Sequence, residues 1–326
     1  MKSCISKIRE LINKPILNSL LSQDHKKWNL MCGSIDAIET TQSAVDSYVC
    51  LDKDKLSYIG PHLVIYGLFQ ALYVQQDSVK NLCISIDISV PKNDKELKLQ
   101  YPELYEIRQL RNKGIGHPSK EGKMNSTHTM LIGNDSIELF SYTETGESSY
   151  PKYKISDCIE KQNQSLCGVL QKVIEKMESI EKEHKDAYMQ NKLRDLFPRD
   201  PMYCCLKIVE AISLIEIHKG TVQESFGHKI SFALENTKEL IEAIERFDGE
   251  INKRGLQDDD ADMAIVRIEM RQSKYSLEKL KEYFRIGSKS PLNWQDAYAY
   301  EDSARKNILD LIEHVKNLDA EYMSTD

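Results

Sequence analysis

Several features that mark common protein classes are missing from this sequence. Its 326 residues include 14 glycines and 9 prolines, too few for a collagen-like or broadly disordered chain. The longest apolar stretches, such as residues 63–69, are far shorter than a membrane span. The first residues carry scattered charges and no apolar signal region. These absences predict a cytoplasmic protein that is neither secreted nor inserted in a membrane.

The usual metal and nucleotide motifs are missing as well. The eight cysteines form no C-x-x-C pair, and several lie within apolar helical patterns, such as Cys204 and Cys205. This distribution argues against a disulfide framework and against a zinc site. The sequence has no P-loop, no dinucleotide-binding glycine motif and no H-E-x-x-H pair. We therefore expect no cofactor and no metal ion.

The sequence does contain long runs of helical periodicity. These runs predict helices at about 28–50, 62–88, 102–112, 156–190, 201–218, 221–247, 259–285 and 295–322. Two β-prone runs flank Gly133-Asn134-Asp135 within residues 129–143, and residues 151–155 could add a third strand. We expect this hairpin to be a surface elaboration. The predicted fold class is mainly α.

The charge is unevenly distributed. The formal net charge is −7, made up of +1 for residues 1–155 and −8 for residues 156–326. An acidic chain is not suited to coating nucleic acid through release of counterions. Residues 108–123 nevertheless carry five basic side chains and one acidic side chain, so a local anion site is possible in the first half.

One group of residues in this basic segment could carry out chemistry. Arg111 and Asn112 lie where the third predicted helix ends, and His117 follows after Gly114 and Gly116. A guanidinium can hold two phosphate oxygens, and an imidazole can transfer protons near neutral pH. Asn112 could orient either group. This combination suits RNA cleavage without a metal, in which the 2′-hydroxyl attacks the adjacent phosphate.

The stretch from Arg111 to His117 resembles the R-x(4–6)-H motif of HEPN-domain ribonucleases, where the residue after the arginine is typically polar. In that family the motif follows two long antiparallel helices, and residues 25–125 have this order. The resemblance implies a HEPN-like helical bundle over residues 1–190 with a β-hairpin insertion at about 129–155. An acidic helical domain at 191–326, regulatory or partner-binding, would follow.

The resemblance also implies a function. His117 would be the general acid and base, Arg111 would stabilise the phosphate, and the products would carry 2′,3′-cyclic phosphate ends. Such enzymes are commonly toxins or phage-defence effectors, act as homodimers with a composite active site, and are controlled by an inhibitory or activating protein. Two alternatives stay open: a non-catalytic helical module for dimerisation or interaction, and a HEPN-like nucleotide sensor.

A polar stripe on the second long helix could support the motif. Its residues are spaced at helical intervals: Tyr66, Gln70, Tyr73 and Asp77. Asp77 could orient His117 or pair with Arg111, and a tyrosine could stack on a base. The other interpretation is an ordinary, partly exposed polar face. Arg108 and Lys113, which flank Arg111, are further candidates to support the motif.

Overall fold

The helices follow the apolar periodicity of the sequence, and the fold is mainly α, as predicted. The computed structural model describes residues 1–52, 60–116, 127–133, 135–142, 148–217, 226–256, 261–286 and 290–324. Contacts between residues divide the chain into two units. Unit 1 comprises residues 1–13 and 24–179, and unit 2 comprises residues 14–23 and 180–326. The division thus falls near residue 180 and assigns residues 14–23 to unit 2, whereas the boundary predicted between HEPN-like and acidic domains is at residue 190.

Unit 1 is built on two long helices that pack side by side. The helices of this unit are α1 (Lys2–Ile12), α3 (His25–Val49), α4 (Pro61–Ser85), α5 (Asp94–Gln100), α6 (Pro102–Arg111) and the first part of α7 (Ile155–Tyr188). Among these helices, α3 and α4 make the most extensive contact. Prolines begin α4 and α6, where the missing N–H costs no helical hydrogen bond. The core joins these helices through Val45, Tyr48, Ile65, Leu68, Phe69, Leu72, Ile107 and Leu110.

A small antiparallel sheet completes the core of unit 1. Strand β2 (Ser136–Tyr142) pairs with β1 (Thr127–Ile132), β3 (Ser148–Ser149) and β4 (Lys152–Lys154). Alternation along a strand places Ile137 and Leu139 on one face, and both are buried with Met130 in the helical core. The expectation of a surface elaboration is therefore wrong, because the sheet supplies part of the core. Asn134, in the predicted turn, lies outside the described residues.

Four buried glutamines link three helices of unit 1. Gln75 donates to Gln42 at 3.1 Å, and Gln162 donates to Gln75 at 2.9 Å. Gln76 in turn donates to Gln162 at 2.8 Å. Since burying an unpaired amide is costly, this network favours one relative register of α3, α4 and α7.

Unit 2 is a separate helical body. It contains α2 (Pro15–Ser22), the end of α7, a 3₁₀ turn (Leu193–Leu196), α8 (Pro201–Ile217), α9 (Gly227–Lys253), α10 (Ala261–Ile286) and α11 (Trp294–Met323). Cys204 and Cys205 lie in its core, as predicted, and burial raises the pKa of the Cys205 thiol to about 12. Across the described part of the chain, no helix combines the length and apolar character needed to cross a bilayer.

Three helices were not predicted, and one extends further than predicted. Helices α1 and α2 precede the first long helix, and α5 lies between the helices predicted at 62–88 and 102–112. Asn93 caps α5 by accepting a hydrogen bond from the Glu96 backbone at 3.0 Å. Helix α9 was predicted to end at 247 but continues to Lys253. The glycine that follows its end is Gly255, whose φ of 70° lies in the left-handed region that favours glycine after a helix.

A buried carboxylate in α11 makes the stability of unit 2 depend on pH. Glu301 is 3% exposed, and burial raises the pKa of its carboxyl, although Arg305 donates to it at 3.2 Å. The folded state therefore binds more protons than the unfolded state at pH values between 4.5, the ordinary pKa, and the raised pKa. Stability contributed by the protonated form is present below pH 4.5 and is lost as the pH rises through the raised pKa.

This linkage gives a testable expectation for Glu301→Gln. The variant removes the ionisation, so its unfolding free energy should fall less than that of the wild type as the pH rises above 4.5. Urea unfolding at a series of pH values measures the difference. Glu313→Gln, which changes an exposed glutamate of the same helix, is the control. Parallel pH profiles for wild type and Glu301→Gln would contradict this account of Glu301.

Candidate active site

The candidate site begins where α6 ends. Arg108 and Arg111 lie one turn apart on α6, and residues Asn112–Gly116 continue as a π-helical turn. The predicted end of this helix at residue 112 is therefore wrong, since the chain stays helical through Gly116. Gly114 is buried against the Met130 methyl group of β1, where a Cβ atom would overlap it. The sheet thus supports the turn that follows Arg111.

The Arg111 guanidinium is held by uncharged groups on both sides. Its Nε and Nη2 atoms donate to the Gln70 side-chain oxygen at 3.1 and 2.8 Å. Its Nη1 atom donates to the Asn112 side-chain oxygen at 3.2 Å. Gln70 projects from α4, so two helices fix the direction in which the guanidinium points.

One aromatic ring lies beneath both arginines. The Tyr73 ring centroid is 4.1 Å from the Arg108 guanidinium carbon and 4.6 Å from that of Arg111. Such contacts stabilise a cation over the face of the ring. Arg108 also donates to Asp77 at 2.8 Å, which makes an ion pair. Asp77 therefore pairs with Arg108. The sequence had suggested Arg111 or His117 as its partner.

These contacts leave the two arginines in different electrostatic states. The charge of Arg108 is compensated by the Asp77 carboxylate. The groups that hold Arg111 are uncharged: the side-chain amides of Gln70 and Asn112 and the ring of Tyr73. A guanidinium has five N–H groups, and three of those on Arg111 are used by Gln70 and Asn112. One N–H on each terminal nitrogen stays available. Both can donate to phosphate oxygens.

The structure brings together most of the predicted site residues that it describes. Contacts join Arg108, Arg111, Asn112, Gln70, Tyr73 and Asp77. The ring of Tyr66 packs edge-on against His62, one turn of α4 before Gln70, with ring centroids 6.1 Å apart. Lys113 lines a groove between α6 and the sheet. His117 lies outside the described residues, so its position relative to Arg111 stays a prediction.

Sequence reasoning missed one neighbour of Arg111. A Cβ atom on Gly116 would lie 2.8 Å from Arg111 Nη1, so the absence of a side chain at Gly116 makes room for the guanidinium. The close approach depends on the π-helical turn, which the sequence does not signal.

Comparison with known proteins adds no relative to this description. The chain matches no protein-family model, no curated protein and no solved structure. Within the described ranges, no three His, Cys, Asp or Glu side chains are grouped so that they could hold a metal ion.

Proposed function

We propose that this protein is a metal-independent endoribonuclease whose phosphate-binding residue is Arg111. The observation that carries the proposal is the Arg111 guanidinium, which is fixed by Gln70, Asn112 and Tyr73 and has no carboxylate partner among the described residues. An uncompensated, oriented guanidinium suits the charge that develops on a phosphate during cleavage. The resemblance of residues 111–117 to the HEPN motif supports the choice of RNA over other phosphate esters.

The proposed reaction is a transfer of the phosphate within the RNA strand. The 2′-hydroxyl loses its proton to a base and attacks the adjacent phosphorus, and the bond to the 5′-oxygen of the next nucleotide breaks. His117 transfers protons in this step, while Arg111 binds two non-bridging oxygens. The products are a 2′,3′-cyclic phosphate and a 5′-hydroxyl, so no water is consumed.

The chemistry of the product ends tests this proposal. Purified full-length protein, assayed with EDTA, should leave 2′,3′-cyclic phosphate and 5′-hydroxyl ends on RNA. A substrate with a single 2′-deoxynucleotide at the cleaved position should resist cleavage there. Cleavage of the deoxy-substituted position, or products with 5′-phosphate ends, would show that the 2′-hydroxyl is not the nucleophile.

Gly116→Ala should reduce cleavage without unfolding the protein. The added methyl group would displace the Arg111 guanidinium, and a misplacement of about 1 Å can cost about 100-fold in rate. We expect kcat to fall by about 10- to 100-fold in the RNA assay. Gly168→Ala is the matched control, because a Cβ atom at Gly168 on α7 meets nothing within 4 Å. Equal loss of activity in both variants would contradict the role of Gly116.

We also propose that two copies of the chain form the active enzyme. The support is the family resemblance together with an exposed face of α4 beside Arg111. On this face Leu63 is 74% exposed and Tyr66 is 37% exposed, and both share the helical spacing of Gln70. In the proposed dimer this face would be covered by the second copy.

Leu63→Asp should therefore separate the copies, because it places a charge in an apolar contact. Analytical ultracentrifugation should give twice the chain mass of 37.6 kDa for the wild type and a single chain for the variant. Val49→Asp, at a 60% exposed apolar position on α3, is the control. A wild-type protein that sediments as one chain at assay concentration and still cleaves RNA would contradict the dimer proposal.

A further inference from the structure

The two side-chain amides that hold Arg111 have a fixed direction. Gln70 and Asn112 both accept hydrogen bonds from the guanidinium, at distances of 2.8–3.2 Å. A guanidinium can only donate, so the atom that faces it on each amide must be the oxygen. The amide nitrogens are therefore directed away from the guanidinium, and neither has a hydrogen-bond partner in the part of the chain that the structure describes.

This arrangement presents hydrogen-bond donors to the solvent. Each amide adds an NH₂ group to the N–H groups that stay available on Arg111. Gln70 is exposed and Asn112 is half-buried, so a ligand can approach both amides from solution. Donors placed around one positive charge suit a group that carries a negative charge and accepts several hydrogen bonds, as a phosphodiester does.

The acceptors on α4 distinguish the two arginines of α6. One ring, that of Tyr73, lies under both Arg108 and Arg111. The acceptor on α4 is the Gln70 amide for Arg111 and the Asp77 carboxylate for Arg108. A carboxylate at position 70 would compensate Arg111 in the same way, because it would keep the acceptor oxygen and add a negative charge. The neutral side chain at position 70 therefore leaves the charge of Arg111 available to a ligand.

We propose that Gln70 is a second phosphate-binding residue and that its neutral amide determines which of the two arginines binds the phosphate. Its oxygen positions Arg111, and its nitrogen donates to a non-bridging oxygen of the same phosphate. Asp77 has the opposite effect, since its carboxylate occupies Arg108. The inference deepens the proposed function and rests on it for the choice of an RNA phosphodiester as the ligand.

Binding of an RNA that cannot be cleaved tests this role of Gln70. A labelled, single-stranded 2′-O-methyl RNA lacks the attacking hydroxyl, and fluorescence anisotropy measures its affinity for the full-length protein in EDTA. Gln70→Glu keeps the acceptor oxygen, compensates Arg111 and removes the amide donor, so binding should weaken by about tenfold or more. Each phosphate contact with a single strand contributes about 0.7 to the slope of log affinity against log salt concentration, so this slope should become shallower by about 0.7.

Two further variants separate the effect of charge from that of structure. Gln70→Ala removes the amide without adding a charge, so its affinity should lie between those of wild type and Gln70→Glu. Gln164→Glu adds the same charge at an exposed position of α7 and should leave binding unchanged. Circular dichroism would check that every variant is folded. The proposal would be overturned if Gln70→Glu bound this RNA as tightly as the wild type or as tightly as Gln70→Ala.

The reciprocal change should make Arg108 available. Asp77→Asn keeps an acceptor oxygen for Arg108 but removes the compensating charge, so binding should tighten by about threefold or more and the slope should steepen by about 0.7. Unchanged affinity in Asp77→Asn, or a folded wild type that does not bind this RNA, would overturn the proposal. These shifts in a protein that leaves ordinary RNA intact would support the role of Gln70 and contradict the nuclease proposal alone. Cleavage of ordinary RNA without these shifts would do the reverse.

Discussion

Arg111→Ala should reduce RNA cleavage by about 100- to 1,000-fold, because removal of one oriented donor to a developing charge has an effect of this size. The guanidinium is half-buried and lies at the surface of unit 1, and its loss removes contacts with Gln70 and Asn112 but no part of the hydrophobic core. The protein should therefore stay folded. Single-turnover cleavage of a defined RNA, together with circular dichroism, measures both quantities.

Two further variants sharpen this result. Arg111→Lys keeps the charge but loses the planar pair of N–H groups, so it should recover only part of the rate. Arg271→Ala removes an exposed arginine of α10 in unit 2 and should leave the rate unchanged. If Arg111→Ala cleaved RNA as fast as the wild type, Arg111 would not bind the phosphate. The interpretation as a non-catalytic interaction module would then be the better one.

Phe69→Ala should produce the largest loss of stability among changes in unit 1, about 3–5 kcal/mol. Phe69 is fully buried on α4, one residue before Gln70, and it joins the core shared by α3, α6 and the sheet. Removal of its ring leaves a cavity beneath α4, the helix that carries Gln70 beside Arg111. Since native domains have about 5–15 kcal/mol of stability, this loss is a large fraction of the total.

Urea unfolding combined with hydrogen exchange measures where this loss falls. Exchange should accelerate in residues 24–52 and 60–116, and the unfolding midpoint should decrease. Lys80→Ala, an exposed position on the same helix, is the control and should change stability by no more than about 0.5 kcal/mol. A loss below about 1 kcal/mol for Phe69→Ala would mean that the core of unit 1 does not pack around this ring.

Much of the fold could be predicted from the sequence because apolar periodicity is a local signal. The two long helices α3 and α4 were predicted within three residues of their observed ends, and β1 and β2 were recognised on either side of Gly133. The short helix α5 was missed because its seven residues are mostly polar and none is buried. The part played by the sheet in the core was missed because it depends on packing between distant residues.

The candidate site was predictable in composition but not in arrangement. Helical spacing placed Gln70, Tyr73 and Asp77 on one stripe, and the basic segment indicated Arg108 and Arg111. Which arginine would pair with Asp77 depends on how α4 and α6 meet, and their residues are 31 positions apart. The contact between Tyr101 and Lys172 lay beyond sequence reasoning for the same reason, since these residues are separated by 71 positions.

Cleavage of total RNA by wild type and His117→Ala is the direct test of whether this protein is a ribonuclease that uses His117. Both proteins would be purified away from any partner, matched for folded concentration and assayed with EDTA, with His228→Ala as the control for loss of an exposed histidine. We expect wild type and His228→Ala to cut RNA and His117→Ala to be at least about 100-fold slower. A wild-type protein that leaves RNA intact, or a His117→Ala variant that cuts at the wild-type rate, would contradict this expectation.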